Sequence, residues 1–247
     1  MRRKKIVCAK TDDKKKYLIP FGDWHLGAKN CDVDSIRDMV KWIKKKNAWV
    51  VGMGDLFENA SLSAPHGAVY DQEINTEEQK EEIYSLLKPI TNNILGLLTG
   101  NHEWRNYKDS GDDLTKDLCR WLDVPYLGPS AFLKLKVGEQ NYKGFVTHGS
   151  TGSKNFGTKI KKCMDLSNTF QAQFYCMGHV HELGSHSKER RSIQGNQIKK
   201  EKVYFILTGH FLDYDDSYAE RSGYEPGKKG VARIRLNGEK HDIHVST

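Results

Sequence analysis

Three runs in the first 102 residues share one form: YLIPFGDWH at 17–25, AWVVGMGD at 48–55 and ILGLLTGNH at 94–102. Each is a short apolar run that reaches a glycine and then an Asp or Asn. Between the first two, residues 33–46 place Ile36, Met39, Val40 and Ile43 at helical spacing, which predicts a helix. Between the second and third, residues 77–87 read as a polar-rich helix. Short strands alternating with helices predict a βαβαβ unit with parallel strands.

Working outward, residues 114–122 read as a further helix, and strand-like runs then dominate at 132–137, 143–147, 174–177, 203–208 and 231–236. Asn237-Gly238 between alternating residues predicts a terminal hairpin. A strand-rich second half predicts two β-sheets packed face to face with helices outside. The segment 58–75, with Pro65, His66 and Gly67, has little periodicity; a loop of that length is often a functional cover.

The 247 residues suit one large α/β domain. Residues 1–15 are expected to be a basic, mobile tail and 16–247 a single domain. No stretch approaches the ~20 apolar residues that span a bilayer, and no apolar segment follows the basic start. Five scattered cysteines without a CxxC argue against a disulfide framework or a zinc knuckle. A cytoplasmic protein with no membrane partner is the expectation; the oligomeric state is open. The net charge is +7, with basic clusters at 44–46, 159–162, 188–191 and 199–202. Together they favour polyanionic partners, although each alone reads as a solvated face.

In open α/β sheets, ligands gather beyond the carboxyl ends of the strands. Asp23 and His25 follow the first strand, Asp55 the second, Asn101 and His102 the third, and His148, His179 and His181 later ones. In D-x-H and H-x-H, alternate residues of an extended segment point to one side, so both can reach one metal cluster. Gly22, Gly54, Gly100 and Gly178 precede the ligands, where the backbone must turn sharply. Two divalent ions bring four positive charges against the carboxylates of Asp23 and Asp55. The surplus would attract a phosphate oxygen and the charge that develops on it. His210, in LTGHF, either lines the site or is an ordinary loop residue, the latter being the first reading.

The blocks DWH, GDLFEN, GNHE, THG and GHVH, in this order, resemble the five signature blocks of the calcineurin-like metallophosphoesterases across residues 16–210. The resemblance implies a four-layer αββα sandwich with two facing mixed β-sheets. It also implies that Asp23, His25, Asp55 and His181 hold one metal, while Asp55 as a bridge, Asn101, His148 and His179 hold the other. His102 would contact substrate. The metals implied are manganese, iron, zinc or nickel, and the mixed O and N donor set suits them; manganese is the first choice.

Protein Ser/Thr phosphatases carry arginines after the bridging Asp block and before GNHE, where this chain reads GDLFENA and LLTGNHE. The expected substrate is therefore a phosphodiester, nucleic acid first, and the expected activity that of a DNA nuclease. A small-molecule phosphatase or cyclic nucleotide phosphodiesterase is the alternative, and an inert binding scaffold a third reading. The chemistry expected is in-line attack by hydroxide held between metals ~3.5 to 4 Å apart. His102 would protonate the leaving oxygen, and Glu103 orients a neighbouring imidazole or is a surface carboxylate. Tyr214, Tyr218 and Tyr224 either stack on bases or pack their own loop down.

Overall fold

The computed structural model describes residues 1–61 and 64–247. The chain opens with β1 (Ile6–Thr11), β2 (Lys15–Phe21), α1 (Val33–Lys46) and β3 (Trp49–Gly52). A 3-10 helix at Pro65–Asp71 precedes α2 (Thr76–Leu87), and another at Lys88–Asn93 leads into β4 (Ile94–Leu98). Then come α3 (Asn101–Ser110), α4 (Leu114–Leu122), β5 (Tyr126–Gly128), β6 (Ser130–Val137) and β7 (Gln140–Thr147). The last third holds α5 (Phe156–Asp165), β8 (Phe174–Met177), β9 (Leu183–Gln194), β10 (Gln197–Thr208), α6 (Tyr218–Arg221), β11 (Arg233–Asn237) and β12 (Ile243–Ser246).

The strands form two six-stranded sheets, ordered β1-β6-β7-β8-β10-β9 and β12-β11-β2-β3-β4-β5. The predicted βαβαβ unit is present, with β2, β3 and β4 pairing in parallel. Both sheets are mixed, because β11 pairs antiparallel with β2 and β7 antiparallel with β6. Alternation along each strand sends side chains to opposite faces. Leu18 and Val51 join Leu133, Val146, Phe174 and Ile206 in a core between the sheets. Ile19 and Val50 face the other way, into a core shared with α1, α2 and α4. Tyr175, Phe205 and Leu207 pack with Ile160 and Cys163 of α5. The layers are therefore helix, sheet, sheet, helix, the αββα sandwich that the motif blocks implied.

Three expectations change. Residues 6–11, expected in a mobile tail, form the edge strand β1, paired in parallel with β6. Val7 is buried there, and Arg3 anchors the segment by donating to Leu127 O at 2.8 Å. The apolar run of β1, residues 6–9, is short and flanked by lysines, with Val7 and Ala9 turned to the core, so its pairing is tertiary. The terminal hairpin exists, but its loop is wider than two residues. Leu236 pairs with Ile243, and the Asn237 side chain accepts from the N–H groups of Glu239 and Lys240 at 2.9 and 3.2 Å. The segment 58–75 contains the 3-10 helix Pro65–Asp71 rather than a structureless loop; Leu62 and Ser63 lie outside the described residues.

The ribbon β9–β10 continues well past the body of its sheet, with exposed residues from Arg191 to Lys200. Tyr142 ties the two sheets together at that same end. Its hydroxyl donates to Asn237 O at 2.6 Å and accepts from the N–H of Asp242 at 3.1 Å. Its ring is fully buried. Tyr142→Phe should therefore lower stability by about 1 to 3 kcal/mol, read as a lower urea midpoint with an unchanged slope. An unchanged midpoint would show that the hairpin holds its place without this bond.

Candidate metal centre

Five strand ends deliver the polar residues to one edge. Asp23 and His25 follow β2, Asp55 follows β3, Asn101 and His102 begin α3 directly after β4, His148 follows β7, and His179 and His181 follow β8. Asp23, His25, Asp55 and His148 are buried, whereas His102, His179 and His181 are half-buried and Asn101 is exposed, so the edge has a buried floor and an open rim.

The D-x-H and H-x-H segments are not extended, as their spacing suggested. Asp23, His25, Asp55, His179 and His181 all have left-handed φ, between 48° and 69°. Such residues are strained, and tertiary hydrogen bonds hold them. Asp23 N–H donates to Gly54 O at 3.0 Å, and Trp24 and His25 N–H both donate to Asp55 O at 2.8 and 3.1 Å. His179 N–H donates to the Asp23 carboxylate at 2.9 Å. Alternate residues still converge, because the tight turns are repeated. Trp24 between them stacks on Phe21 at 4.9 Å.

Two glycines allow the approach. A Cβ on Gly100 would stand 2.1 Å from Asp55 Oδ1, and one on Gly54, whose φ is +92°, would stand 2.5 Å from Gly100 N. No side chain fits either place without displacing the Asp55 carboxylate or the loop that carries it.

Ligand atoms of Asp23, His25 and His181 lie within 4.8 Å of one another, and so do those of Asp55, His148 and His179. A third group at that spacing joins His25, Asp55 and His102. Asp55 stands between the first two: its Oδ2 is 3.9 Å from His25 Nε2 and 3.3 Å from His148 Nε2. Asn101 Oδ1 is 3.0 Å from His148 Nε2. All seven expected ligands are therefore at the same edge.

The donor set fits divalent cations on a specific observation: the Nε2 atoms of His25 and His181 face each other at 2.9 Å. Two imidazole lone pairs converge in this way around a shared proton or a metal. The far nitrogens are committed elsewhere, His25 Nδ1 to Glu58 Oε2 at 3.0 Å and His148 Nδ1 to Met53 O at 2.8 Å. These bonds leave each Nε2 free to ligate.

Without metal, protons neutralise the carboxylates. Burial lowers His25 and His148, but Glu58 and Asp55 outweigh it for His25, and Asp55 and Asp23 for His148. The imidazoles are pushed up to about 9 and about 10. Burial raises Asp55, yet His148, His102 and His25 around it hold its carboxyl well below the usual carboxylate range. Burial raises Asp23 to about 7.

Several supporting roles lay beyond the reach of the sequence. Glu58, in GDLFEN, is the partner of His25. Glu103 neither orients an imidazole nor lies at the surface: it is buried and accepts from the N–H groups of Leu56, Gly100, Asp55 and Phe57 at 2.8 to 3.3 Å. His102 Nδ1 donates to Glu58 O at 2.6 Å, which fixes its ring beside that of His25, 4.4 Å away. His210 is not a plain loop residue either; its buried ring stacks on His181 at 5.5 Å. The tyrosines pack their loop: Tyr214 OH donates to Tyr224 O at 2.7 Å, and the Tyr218 and Tyr224 rings lie 6.3 Å apart.

A family profile for calcineurin-like phosphoesterases matches residues 19–246. The chain belongs to that family. A predicted phosphoesterase from Streptococcus pneumoniae is similar in structure, at 14% identity over 94% of this chain and 90% of that one, with a TM-score of 0.41. Vacuolar Protein Sorting 29 from Cryptosporidium parvum is 14% identical over 95% of this chain and 98% of that one, with a TM-score of 0.47. GAP50 of Plasmodium, described as the anchor in the inner membrane complex, is 11% identical over 94% and 88%, with a TM-score of 0.44. A search of curated proteins finds no match. The family and the His and Asp clusters together provide for a dinuclear metal site. Among the described residues, no helix is long and apolar enough to cross a membrane.

Two predictions follow from this geometry. Metal must displace the protons that His25 and His148 hold at neutral pH, because both are raised above it. Metal loading between pH 6 and 8 should release protons, and affinity should rise with pH. Calorimetry in buffers of different ionisation enthalpy measures this; a heat independent of buffer would contradict it. Gly100→Ala should push Asp55 aside and lower the bound metal in elemental analysis below that of the parent protein, whereas full metal content in the variant would show that the loop yields at no cost.

Proposed function

We propose that this chain is a dinuclear metal-dependent phosphodiesterase acting on nucleic acid, a DNA nuclease in the first instance. The observation that carries the reading is the placement of Asp55 between two histidine groups, with His102 fixed beside it by Glu58. Bound there, two divalent ions, manganese first, would polarise the phosphoryl group and supply the nucleophile from water. Asp23, His25 and His181 would hold one ion, Asn101, His148 and His179 the other, and Asp55 both.

The residues of the chain then have separate tasks. Glu58 takes the Nδ1 proton of His25 and keeps its Nε2 on the metal side. His102 gives its Nδ1–H to a carbonyl, so the ring nitrogen left for the substrate is Nε2. Its cationic form can hand the Nε2 proton to the leaving oxygen. Burial pulls His102 below 6.5, and a weaker base is a readier donor once charged.

Charge supports a polymer as substrate. The ribbon residues 188–202 include six basic and two acidic side chains, and both acids are paired internally, Glu189 with Arg191 and Glu201 with Arg190. The basic residues lie toward the end of the ribbon remote from the candidate metal centre, about 17 to 30 Å along β10 from Thr208 at ~3.3 Å per residue. A small ester cannot touch both places, whereas about one turn of duplex can. The absence of arginine in GDLFENA and LLTGNHE favours a diester over a terminal phosphate.

The manganese-loaded protein should cleave labelled DNA in preference to nitrophenyl phosphate, with binding that weakens steeply as salt rises. The assay sets DNA, RNA, bis-nitrophenyl phosphate and nitrophenyl phosphate side by side at two salt concentrations. Efficient monoester turnover without salt-sensitive nucleic-acid binding would replace the nuclease with a small-molecule phosphatase. His102→Ala should keep its metal and lose ~10²- to 10⁴-fold in rate on an alkoxide leaving group, with a smaller loss on nitrophenolate. Equal losses on both would mean that His102 only positions phosphate.

A further inference from the structure

Helix α3 carries Asn101 and His102 on its first turn, and its next turn carries a cation that nothing described engages. Arg105 follows His102 by three residues and Asn101 by four, so it leaves the helix from their face, about 4.5 Å further along the axis. Its Nη1 is buried and, among the described residues, has no hydrogen-bond partner. Among the described residues, no carboxylate lies within ion-pair distance of it. Glu58, an acid on which its charge acts, is already held by His25 at 3.0 Å.

The guanidinium nevertheless lies close enough to Glu58 and His102 for its charge to act on both. A buried guanidinium N–H without a partner is costly and calls for an explanation. An anion is the partner that suits it best, and the planar fork of Arg matches the oxygens of phosphate in particular.

We propose that Arg105 is an anion subsite beside the metal centre, gripping a non-bridging phosphate oxygen of the substrate on the side where His102 meets the leaving group. The inference rests on the phosphoesterase reading for its ligand. A guanidinium here strengthens binding of phosphate without touching either metal, and its loss should appear in affinity before it appears in metal content.

Inorganic phosphate is the probe, titrated by calorimetry into the manganese-loaded protein. Arg105→Met, which keeps an apolar stem, and Arg105→Ala should each weaken phosphate binding by about tenfold or more, with metal content unchanged by elemental analysis. Arg105→Lys should recover part of the loss. For bis-nitrophenyl phosphate, the same variants should raise KM by more than they lower kcat. Unchanged phosphate affinity and KM in metal-loaded variants would overturn the subsite, and so would loss of metal or fold in both Met and Ala variants, which would make Arg105 structural. A parent protein that binds phosphate through Arg105 but hydrolyses no ester would remove the enzymatic reading and leave the subsite. Normal hydrolysis with all variants equal to the parent would do the reverse.

Discussion

The buried carboxylate of Glu103 is the constraint on which the metal edge depends. It sits on the first turn of α3 and gathers four backbone N–H groups, those of Gly100 on its own loop and of Asp55, Leu56 and Phe57 on the loop after β3. Desolvation makes such a charge costly, and burial with Asp55 nearby raises its pKa above the ordinary value. Four N–H donors in fixed positions offset that cost. The two loops are thereby joined back to back, with Asp55 on one and Asn101 and His102 on the other.

Everything at the edge follows from that junction. Asp55 Oδ1 accepts the N–H of His102 at 2.9 Å, while its backbone carbonyl accepts from Trp24 and His25. Asp23 in turn receives the N–H of His179 from the other sheet. One carboxylate therefore organises a chain of backbone contacts that crosses from β4 to β3, to β2 and to β8. The left-handed backbone at five of the candidate ligands costs on the order of 1 to 3 kcal/mol each. It persists because the parallel strands beneath fix where every loop begins. The cores on both faces of the β2–β3–β4 sheet keep those strands in place.

The facing sheets also explain how the supporting residues divide. Those on the GDLFEN loop, Glu58 and Asn59, serve His25 and His102: Glu58 accepts from the former, and Asn59 Nδ2 donates to His102 O at 3.0 Å. His148 is instead held by a carbonyl, Met53 O. The His181 ring is flanked by His25 on one side and His210 on the other, at 4.8 and 5.5 Å. The edge is thus a row of imidazoles from His102 through His25 and His181 to His210, with carboxylates beneath.

Periodicity and punctuation alone determined much of this protein. Residues 33–46 and 114–122 have apolar spacing that only a helix satisfies, and the parallel β2–β3–β4 unit follows from apolar runs broken by Gly-Asp and Gly-Asn. That seven polar residues after the strands would converge at one edge was legible too, because each follows a turn at a strand's carboxyl end. Tertiary structure decided the rest. Strand β1 has only the short apolar run at residues 6–9 between charged stretches, and the edge of β6 holds it as a strand. The ligand-bearing turns are left-handed, where spacing suggested extended chain, since the hydrogen bonds that hold them come from other loops. Glu103, Glu58 and Arg105 look alike in sequence, as charged residues beside a motif. Burial and partners made the first a brace for two loops, the second the anchor of an imidazole, and left the third with a buried N–H that no described residue accepts, and those are properties of surroundings that no local pattern encodes.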